Sequence, residues 1–244
     1  MNRILFEPDE IVDGIATVGG VRAEHILGVL HGEVGQSLKT GVVGGLAGTS
    51  EIVAVSAPGE TPRVSVRVCH DTPAPAPWID LVLAPPRPRV MKRLLPQLAA
   101  LGVGRIVLIG ARKVEKDFWG ATLLKEEIYR PLLVEGLMQC GSTVLPELLV
   151  RRNFRRFLDE ELDALFPNSD RIVAHPCPDG SATPTLNGRP LVAIGPEGGW
   201  TDNEVELLEA HGFRRFSLGP RILRTDTATI SLVAVLAATA AKML

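Results

Sequence analysis

The sequence predicts an α/β protein in which a small β-rich domain precedes a larger domain built around a parallel sheet. Three observations lead to this fold class. Strand-like segments separated by glycines fill the first part of the chain, and a proline-rich stretch follows them. Beyond that stretch, short apolar runs alternate with segments of helical periodicity. Apolar strands that alternate with helices are typical of a parallel sheet covered on both faces.

The β-rich character of residues 1–71 comes from two segments with strand composition. Ile15–Val18 is rich in β-branched residues, and Val64–Val68 alternates strictly between apolar and polar side chains. We expect the glycines at positions 41, 44, 45 and 48 to break the chain between these segments. A short helix is predicted over Ala23–Leu30, whose closing leucine belongs to its apolar face.

Residues 72–78 are the predicted linker, because prolines stand at positions 73, 75 and 77. Proline has no backbone N–H to donate to a sheet ladder, and a proline-rich stretch acts as a stiff spacer. We therefore expect a first domain over residues 1–71 and a second domain over residues 79–244.

Five strand-like segments, most of them short apolar runs, predict the sheet of the second domain. They are Ile79–Ala84, Arg105–Ile109, Ile172–Ala174, Leu191–Ile194 and Phe213–Leu218. Helical periodicity predicts the helices Val90–Leu101, Leu123–Gln139, Phe154–Leu165 and Asn203–Ala210. Ligands of such sheets bind at the carboxyl ends of the strands, so the loops after Ala174, Ile194 and Leu218 are candidate binding loops.

The bulk composition is that of a globular protein, with 45% apolar and 22% charged residues. Acidic residues occur by position 7 and no apolar run approaches the ~18 residues of a membrane span, so we expect neither a signal peptide nor a membrane segment. Cys69, Cys140 and Cys177 are too few and too scattered for a disulfide framework or a zinc site. We therefore expect a cytoplasmic protein that binds no metal.

Positive charge is concentrated in the middle of the chain, although the net charge is −2. Residues 71–160 carry 14 basic and 10 acidic groups, whereas both flanking parts are net acidic. One cluster comprises Arg87, Arg89, Lys92 and Arg93, and a second comprises Arg151, Arg152, Arg155 and Arg156. Each cluster is either a solvated helix face or part of a strip that binds phosphate, and the charge pattern leaves both interpretations open.

The first candidate loop, Gly195–Trp200, joins a buried strand to a helix. That helix begins with a capping box, in which Thr201 is the N-cap and Glu204 occupies the third helical position. No Gly-x-Gly-x-x-Gly pattern follows the first strand of the domain, and no lysine follows these glycines, so neither a dinucleotide site nor a P-loop is indicated. Glu197 would repel phosphate, whereas a ligand with a positive centre is compatible with the loop. A tight turn without a ligand is the other interpretation.

The second candidate loop opens after Leu218 with a glycine-proline turn and leads to the last helix. Thr225 is able to cap that helix, and Asp226 in its first turn complements the helix dipole. Arg221 and Arg224 exceed what capping requires. Because arginine favours planar, bidentate contacts with phosphate or carboxylate, both are candidate ligand contacts.

Together, the segments IGPEGG (residues 194–199) and LGPRILRTDTA (residues 218–228) resemble the ribosomal RNA small subunit methyltransferase E family of the SPOUT superfamily. Weaker segments extend the resemblance over nearly the whole chain: Arg22–Ile26 with Val29 and Leu30, Leu101–Val103, and Gln139–Gly141 with Pro146 and Glu147. The family methylates N3 of a uridine in small-subunit (16S) ribosomal RNA, with S-adenosylmethionine as the methyl donor.

The resemblance implies a PUA-like β-barrel as the first domain and a deep trefoil knot in the second, with the cofactor held by the knotted loops. It also implies a homodimer through the knot region, with the apolar helix Thr229–Leu244 at or near the interface. The implied cofactor contacts, largely through backbone groups, are His175, Pro176, Ile194, Gly195, Pro196, Glu197, Gly198, Gly199, Leu218, Gly219, Ile222 and Leu223.

Methylation of a uridine N3 requires loss of its proton and alignment of the nitrogen with the methyl carbon. We expect Arg224, with Arg221 second, to contact the base or a phosphate and to stabilise developing negative charge. Asp226 and Glu197 are the candidate proton acceptors, with helix capping and loop closure as alternative roles. The expected RNA contacts are Arg22, Arg87, Arg89, Arg93, Arg151, Arg152 and Arg155.

The chain departs from the family pattern at Ala99, Ala100, Met138 and Ser142, outside the two cofactor loops. The sequence therefore supports methyl transfer more directly than it supports the identity of the target base. Two alternatives stay open. One is a SPOUT enzyme that modifies another RNA atom or another RNA, and the other is a non-catalytic RNA-binding or ribosome-assembly protein that retains the fold.

Overall fold

The computed structural model describes residues 2–57, 59–176 and 184–240. Within these ranges the chain forms twelve strands and seven α-helices, together with short 3-10 and π-helical segments. Cys177 and the last four residues of the predicted helix Thr229–Leu244 lie outside the described residues.

Two compact units divide the chain. The first comprises Met1–Ala76 and Val134–Leu145, and the second comprises Pro77–Leu133 and Pro146–Leu244. The chain thus contributes a short later segment to the N-terminal unit before it continues in the C-terminal unit. A single linker does not produce such a division, and the domain boundaries at residues 71 and 79 stay a prediction.

A six-stranded sheet forms the first unit. Its strands are β1 (Ile4–Phe6), β2 (Ile11–Val12), β3 (Ile15–Gly19), β4 (Ser37–Val42), β5 (Ala47–Val55) and β6 (Arg63–Thr72). They lie in the order β1-β4-β5-β6-β3-β2, and only the β1–β4 pair is parallel. The two strands predicted in this region lie within β3 and β6. No ladder joins β1 to β2 among the described residues, so a closed PUA-like barrel is not confirmed.

Two of the four glycines expected to break the chain lie inside strands. Gly41 belongs to β4 and Gly48 to β5, so the expectation was wrong for both. A Cβ on Gly48 would lie 2.3 Å from the carbonyl oxygen of Cys69, beside an irregularity in the β5–β6 ladder. Glycine therefore permits a close approach of two backbones at this position. Gly44, with a φ of 73°, does adopt the left-handed conformation of a turn.

The predicted N-terminal helix begins earlier than expected and contains a π-helical turn. Helix α1 covers Gly20–Glu24 and continues as a π-helical turn over His25–Val29. Ile26 is buried but Leu30 is 37% exposed, so the apolar spacing that predicted the helix does not bring Leu30 into the core. A π-helical turn contains more residues than an α-helical turn, which rotates the later side chains away from the positions that α-helical spacing predicts.

The second unit is built on a six-stranded sheet in which every ladder is parallel, as predicted. Its strands are β7 (Ile79–Leu83), β8 (Val103–Ile109), β9 (Glu147–Arg151), β10 (Asp170–Ala174), β11 (Pro190–Ile194) and β12 (Arg214–Phe216). The order across the sheet is β12-β10-β11-β7-β8-β9. Every residue of the two central strands, β7 and β11, is buried, which explains their largely apolar sequences.

The helices beyond residue 77 are α2 (Pro88–Ala100), α3 (Glu126–Cys140), α4 (Phe154–Arg156), α5 (Leu162–Leu165), α6 (Asp202–Ala210) and α7 (Thr225–Ala240). The predicted helix Phe154–Leu165 is confirmed as one run, in which a π-helical segment joins α4 to α5. Strand β9 was not predicted, because every residue of this edge strand is at least partly exposed and both its ends are charged. In the part of the chain that the structure describes, no helix has the length and apolarity to span a membrane.

Strands β12, β10 and β11 lie side by side, so the loops that follow them emerge together at one edge of the sheet. Backbone hydrogen bonds continue past the ends of the strands. The N–H of His175 donates to the carbonyl of Phe216 (3.2 Å), and the N–H of Ala84 donates to the carbonyl of Ile194 (2.9 Å). These bonds fix where the loops leave the sheet, at the edge where parallel sheets bind ligands.

Candidate functional site

A cavity of about 450 Å³ opens at this edge, between the loops that follow β10, β11 and β12. Its volume lies in the range of small-molecule sites. The structure brings together in its lining all the residues expected to contact the cofactor: His175, Pro176, Ile194, Gly195, Pro196, Glu197, Gly198, Gly199, Leu218, Gly219, Ile222 and Leu223. Their contacts with a cofactor stay a prediction.

One wall of the cavity was not predicted. It is formed by Thr225, Ala228 and Leu232 of α7, with Trp200 and Phe216 beside them. The three α7 residues follow one another at three- and four-residue spacing, which places them on one face of a helix. That spacing is present in the sequence, but nothing in it indicates that this face meets the loops.

A tight turn shapes the loop Gly195–Trp200. The N–H of Gly199 donates to the carbonyl of Pro196 (2.8 Å), and Gly199 has a φ of 71°, in the left-handed region that favours glycine. Gly195 lies directly against Trp200, because a Cβ on Gly195 would be 3.1 Å from the indole ring. A side chain at Gly195 or Gly199 would therefore displace the loop.

The loop after β8 contacts both this glycine-rich loop and the helix that follows it. Lys113 Nζ donates to the carbonyl of Gly198 (2.8 Å), and the lysine stem covers Gly198, where a Cβ would lie 3.0 Å from Lys113 Cδ. The backbone N–H of Arg112 donates to the carboxylate of Glu204 (2.7 Å), which also forms the predicted capping box with Thr201. The capping box is confirmed, but the two contacts were missed because their partners are distant in the sequence.

Two arginines expected to bind RNA form ion pairs with carboxylates of the candidate site. Arg87 Nε lies 3.3 Å from Glu197, and its Nη2 lies 3.9 Å from Glu115. Arg93 Nη2 lies 3.4 Å from Asp226, in a cleft between α2 and α7. Asp226 therefore faces this cleft, whereas Glu197 lines the cavity.

The loop after β12 carries the two arginines expected to act in catalysis. Arg221 lines the cavity and Arg224 is exposed on the same loop. Among the described residues, neither side chain has a hydrogen-bond or ion-pair partner. Thr225, the candidate cap of α7, is the first residue of the helix, and its hydroxyl donates to the nearby carbonyl of Gly195 (3.4 Å).

The charges of the lining lie on different loops. Glu197 supplies a carboxylate and Arg221 a guanidinium. Burial and, secondly, the charge of Arg215 lower the pKa of His175 below its ordinary value. The ring of His175 is therefore neutral near pH 7 and adds no positive charge to the cavity.

Two further arginines expected to bind RNA are held by carboxylates. The guanidinium of Arg22 makes two hydrogen bonds with the carboxylate of Glu10, and this pairing raises the pKa of Arg22. Arg151 Nε lies 2.5 Å from the carboxylate of Glu161. Contact of either arginine with RNA stays a prediction.

The remaining arginines expected to bind RNA have no carboxylate partner in the described part of the chain. The guanidinium of Arg152 lies over the ring of Trp119, 5.7 Å from its centroid, and donates to the Trp119 carbonyl (3.0 Å). Arg89 and Arg155 are exposed, and no described residue contacts their side chains through a hydrogen bond or ion pair.

The four positions that depart from the family pattern differ in burial. Ala99 and Met138 are buried, and Ala100 and Ser142 are partly exposed. None of the four belongs to the described lining of the cavity, so these departures leave its walls unchanged.

Residues 72–237 match the model of the RNA methyltransferase domain family. The ribosomal RNA small subunit methyltransferase E of Treponema pallidum is 33% identical over 250 residues, which cover 98% of this chain and 92% of that protein. The protein of the same name from Synechocystis is 25% identical over 96% of this chain and 76% of its own length.

Solved structures match this fold along almost the whole chain. A protein of Legionella pneumophila, described as a methyltransferase and solved with bound S-adenosylmethionine, has a TM-score of 0.75, 27% identity and 97% coverage of both chains. The ribosomal RNA small subunit methyltransferase E of Neisseria gonorrhoeae, solved with the same ligand, has a TM-score of 0.75 at 22% identity and covers 98% of this chain and 97% of its own. The family model spans most of this chain and the Treponema relative matches it nearly end to end, so the chain belongs to the ribosomal RNA small subunit methyltransferase E family.

Proposed function

We propose that this protein uses S-adenosylmethionine to methylate N3 of a uridine in small-subunit (16S) ribosomal RNA. The observation that carries the proposal is the cavity, whose lining contains every residue that the family resemblance assigns to the cofactor. Methylation of ribosomal RNA with S-adenosylmethionine is the activity of the family to which the chain belongs. The uridine and its N3 atom are the finer assignment that we add.

The residues of the cavity fit S-adenosylmethionine. Ile194 and Leu218 contribute apolar wall that suits an adenine ring. The buried Nε1 of Trp200 has no hydrogen-bond partner in the described part of the chain, which leaves one donor for a ligand. Glu197 and Arg221 place one negative and one positive charge on separate loops, which complements a ligand that carries both a sulfonium and a carboxylate.

When bound, S-adenosylmethionine supplies an electrophilic methyl group on its sulfonium. The protein must hold the uridine so that N3 faces this group, and it must stabilise the negative charge that the base acquires when its N3 proton leaves. We assign this contact to Arg224 first and Arg221 second, because both guanidiniums lie on the loop at the cavity and lack a described partner.

For the proton acceptor we propose Glu197 ahead of Asp226. Each carboxylate is paired with an arginine, Glu197 with Arg87 and Asp226 with Arg93, so pairing does not rank them. Their positions do, because Glu197 lines the cavity whereas Asp226 faces the cleft between α2 and α7. An acceptor must lie within hydrogen-bond reach of the proton that it removes. The position of Glu197 meets this requirement more directly.

The finer features of the architecture belong to the same proposal. We assign the first unit to a PUA-like RNA-binding domain, and the loops around the cavity to a SPOUT trefoil knot. The hydrogen bond from Thr225 to Gly195, which ties the start of α7 to the glycine-rich loop, supports the assignment of the loops. We further propose a homodimer through the knotted region, with α7 near its interface, in the cytoplasm where ribosomes are assembled.

Mapping of methylated nucleotides in ribosomal RNA from cells with and without this protein tests the assignment. We expect one N3-methyluridine of the small-subunit RNA to be lost. Loss of a methyl group from a ribose hydroxyl, or from another base atom, would instead identify a different SPOUT reaction. Titration of the pure protein with S-adenosylmethionine is the second test, and absence of binding would favour a non-catalytic role.

A further inference from the structure

A second cavity, shallow and about 500 Å³ in volume, lies between the loop after β9 and the start of α6. Its walls include Arg152, Phe154, Arg155 and Asn203. We infer that this cavity binds one unpaired nucleotide of the RNA, next to the target uridine. The inference rests on the proposed RNA methyltransferase function, and it adds a substrate subsite distinct from the cofactor cavity.

An aromatic side chain gives the second cavity a surface on which a base can stack. Phe154 packs against Trp200, with ring centroids 5.6 Å apart and planes inclined by 40°. Trp200 in turn lines the cofactor cavity, so one aromatic contact connects the linings of the two cavities. A nucleotide in the second cavity would therefore lie close along the strand to a base that enters the first.

The arginines of the second cavity are those that no carboxylate neutralises. In the cluster from Arg151 to Arg156, the two arginines at the ends are ion-paired: Arg151 with Glu161 at 2.5 Å and Arg156 with Glu160 at 2.8 Å. The two arginines between them, at positions 152 and 155, line the cavity and have no carboxylate partner among the described residues. Arg152 is held by Trp119 through its ring and its carbonyl, but neither contact neutralises its charge. The cavity thus concentrates the positive charge of the cluster that no described carboxylate neutralises, which suits a phosphate group.

Polar groups of the cavity are suited to the edge of a base. The side-chain oxygen of Asn153 accepts a hydrogen bond from the Arg156 N–H (3.0 Å), which leaves its NH₂ group to donate. Asn203 is exposed at the start of α6. The carboxylate of the lining, Glu204, already accepts hydrogen bonds from Arg112 and Thr201 at 2.7 to 2.8 Å.

An aromatic face, two guanidiniums without a described carboxylate partner and side-chain amides favour a single unstacked nucleotide over duplex RNA. Base pairing hides the faces and edges that these groups would contact, whereas single strands expose them. Stacking on an aromatic side chain tolerates any base and typically changes affinity by about fivefold to a hundredfold. The subsite therefore holds the strand in register and leaves recognition of the uridine to the first cavity.

The test compares Phe154→Leu, Arg155→Gln and Arg156→Gln in the full-length protein, with a single-stranded RNA of ~10 nucleotides as the probe. Arg155→Gln is expected to weaken binding about tenfold and to reduce the salt slope of log K by about one. Phe154→Leu is expected to weaken binding about tenfold without changing that slope, because it removes stacking and no charge. Arg156→Gln is the matched control, and we expect about a twofold change or less, because Glu160 already neutralises this arginine.

Titration with S-adenosylmethionine separates this inference from the proposed function. Parent-like cofactor affinity in Arg155→Gln, a residue outside the described lining of the cofactor cavity, would show that the cofactor site is intact. Unchanged single-strand affinity in both Phe154→Leu and Arg155→Gln would overturn the subsite, as would equal losses for Arg155→Gln and Arg156→Gln. If the parent protein neither binds S-adenosylmethionine nor methylates RNA, but the variants still lose single-strand affinity, the proposed function fails and the subsite stands.

Discussion

The two groups of arginines around the cofactor cavity differ in what they are free to bind. Arg87 and Arg93, before and within α2, each lie close to a carboxylate of the candidate site, at 3.3 and 3.4 Å. Arg221 and Arg224, on the loop after β12, have no side-chain partner among the described residues. Equal formal charge therefore corresponds to different roles, because the first pair is engaged with acidic groups and the second is free to meet the substrate.

The same difference separates the arginines of the second basic cluster, and it has an energetic basis. A guanidinium that leaves a carboxylate to bind phosphate exchanges one ion pair for another. Its net contribution to the free energy of RNA binding is therefore small. A free guanidinium gives up only its hydration. Exposed ion pairs are worth at most ~1 kcal/mol, yet this difference is enough to rank otherwise equivalent arginines.

The largest expected effect concerns a free arginine. Arg224→Ala should lower the rate of methyl transfer by about 10²- to 10³-fold, because it removes a cation that stabilises charge on the base. The affinity for S-adenosylmethionine should stay close to that of the parent, because Arg224 does not line the cavity. Single-turnover methylation of ribosomal RNA, combined with cofactor titration, measures both quantities, and near-normal transfer would refute the role.

The sequence predicts the parts of the site that are formed by residues close together in the chain, but not the contacts between distant segments. The turns of the two loops could be predicted because glycine, proline and the Thr201 to Glu204 capping box act within a few residues of one another. The contact of Lys113 with Gly198 could not, because only the order of the strands brings the two segments together. The pairing of Arg93 with Asp226 was missed for the same reason.

The fold shows the same limit. Parallel strands β7 and β11 were predictable because burial on both faces demands continuous apolar sequence. Strand β9 was not, because an edge strand with partly exposed side chains does not require such a sequence. Gly48 was wrongly predicted to break the chain, because glycine is typical of turns. It lies instead in a strand, where the missing side chain lets another backbone approach closely.

A smaller effect is expected from a cation that is engaged with the cofactor loop. Lys113→Met keeps an apolar stem over Gly198 but removes the hydrogen bond to its carbonyl. We expect the Kd for S-adenosylmethionine to rise about fivefold to tenfold, because a charged hydrogen bond that fixes the loop is lost. The transfer rate at saturating cofactor should change less than the Kd.

The control for this prediction is Lys116→Met, which removes the same charge three residues along the chain. No described residue forms an ion pair or side-chain hydrogen bond with Lys116. Calorimetric titration measures the Kd for S-adenosylmethionine in both variants. An equal rise in the two would show that loss of one positive charge, and not loss of the hydrogen bond to Gly198, weakens binding.

A still smaller effect is expected when an engaged arginine is removed from the α2–α7 cleft. Arg93→Gln breaks the pair with Asp226, and both side chains are partly solvated. The free energy of unfolding should fall by at most ~1 kcal/mol. Urea denaturation measures this change, with Arg67→Gln as the control because Arg67 is about as exposed as Arg93 and pairs with Glu51 at 3.0 Å. A loss of methyl transfer comparable to that of Arg224→Ala would show that Arg93 contacts the substrate directly. Pairing with a carboxylate would then not separate the arginines that bind substrate from those that do not.

The smallest expected effect is a gain in RNA affinity, whereas the preceding substitutions are expected to cause losses. Glu115 lies 3.9 Å from Arg87 and outside the described lining of the cofactor cavity, so Glu115→Gln removes a competing carboxylate without changing that lining. We expect the affinity for single-stranded RNA to rise about twofold, because one engaged arginine becomes freer to meet phosphate. Glu127→Gln is the control, since Glu127 lies at the same 3.9 Å from Lys125 and its loss changes the net charge equally. If the two variants gain affinity equally, net charge alone accounts for the change. A larger gain for Glu115→Gln would show that carboxylate pairing limits what Arg87 contributes to RNA binding.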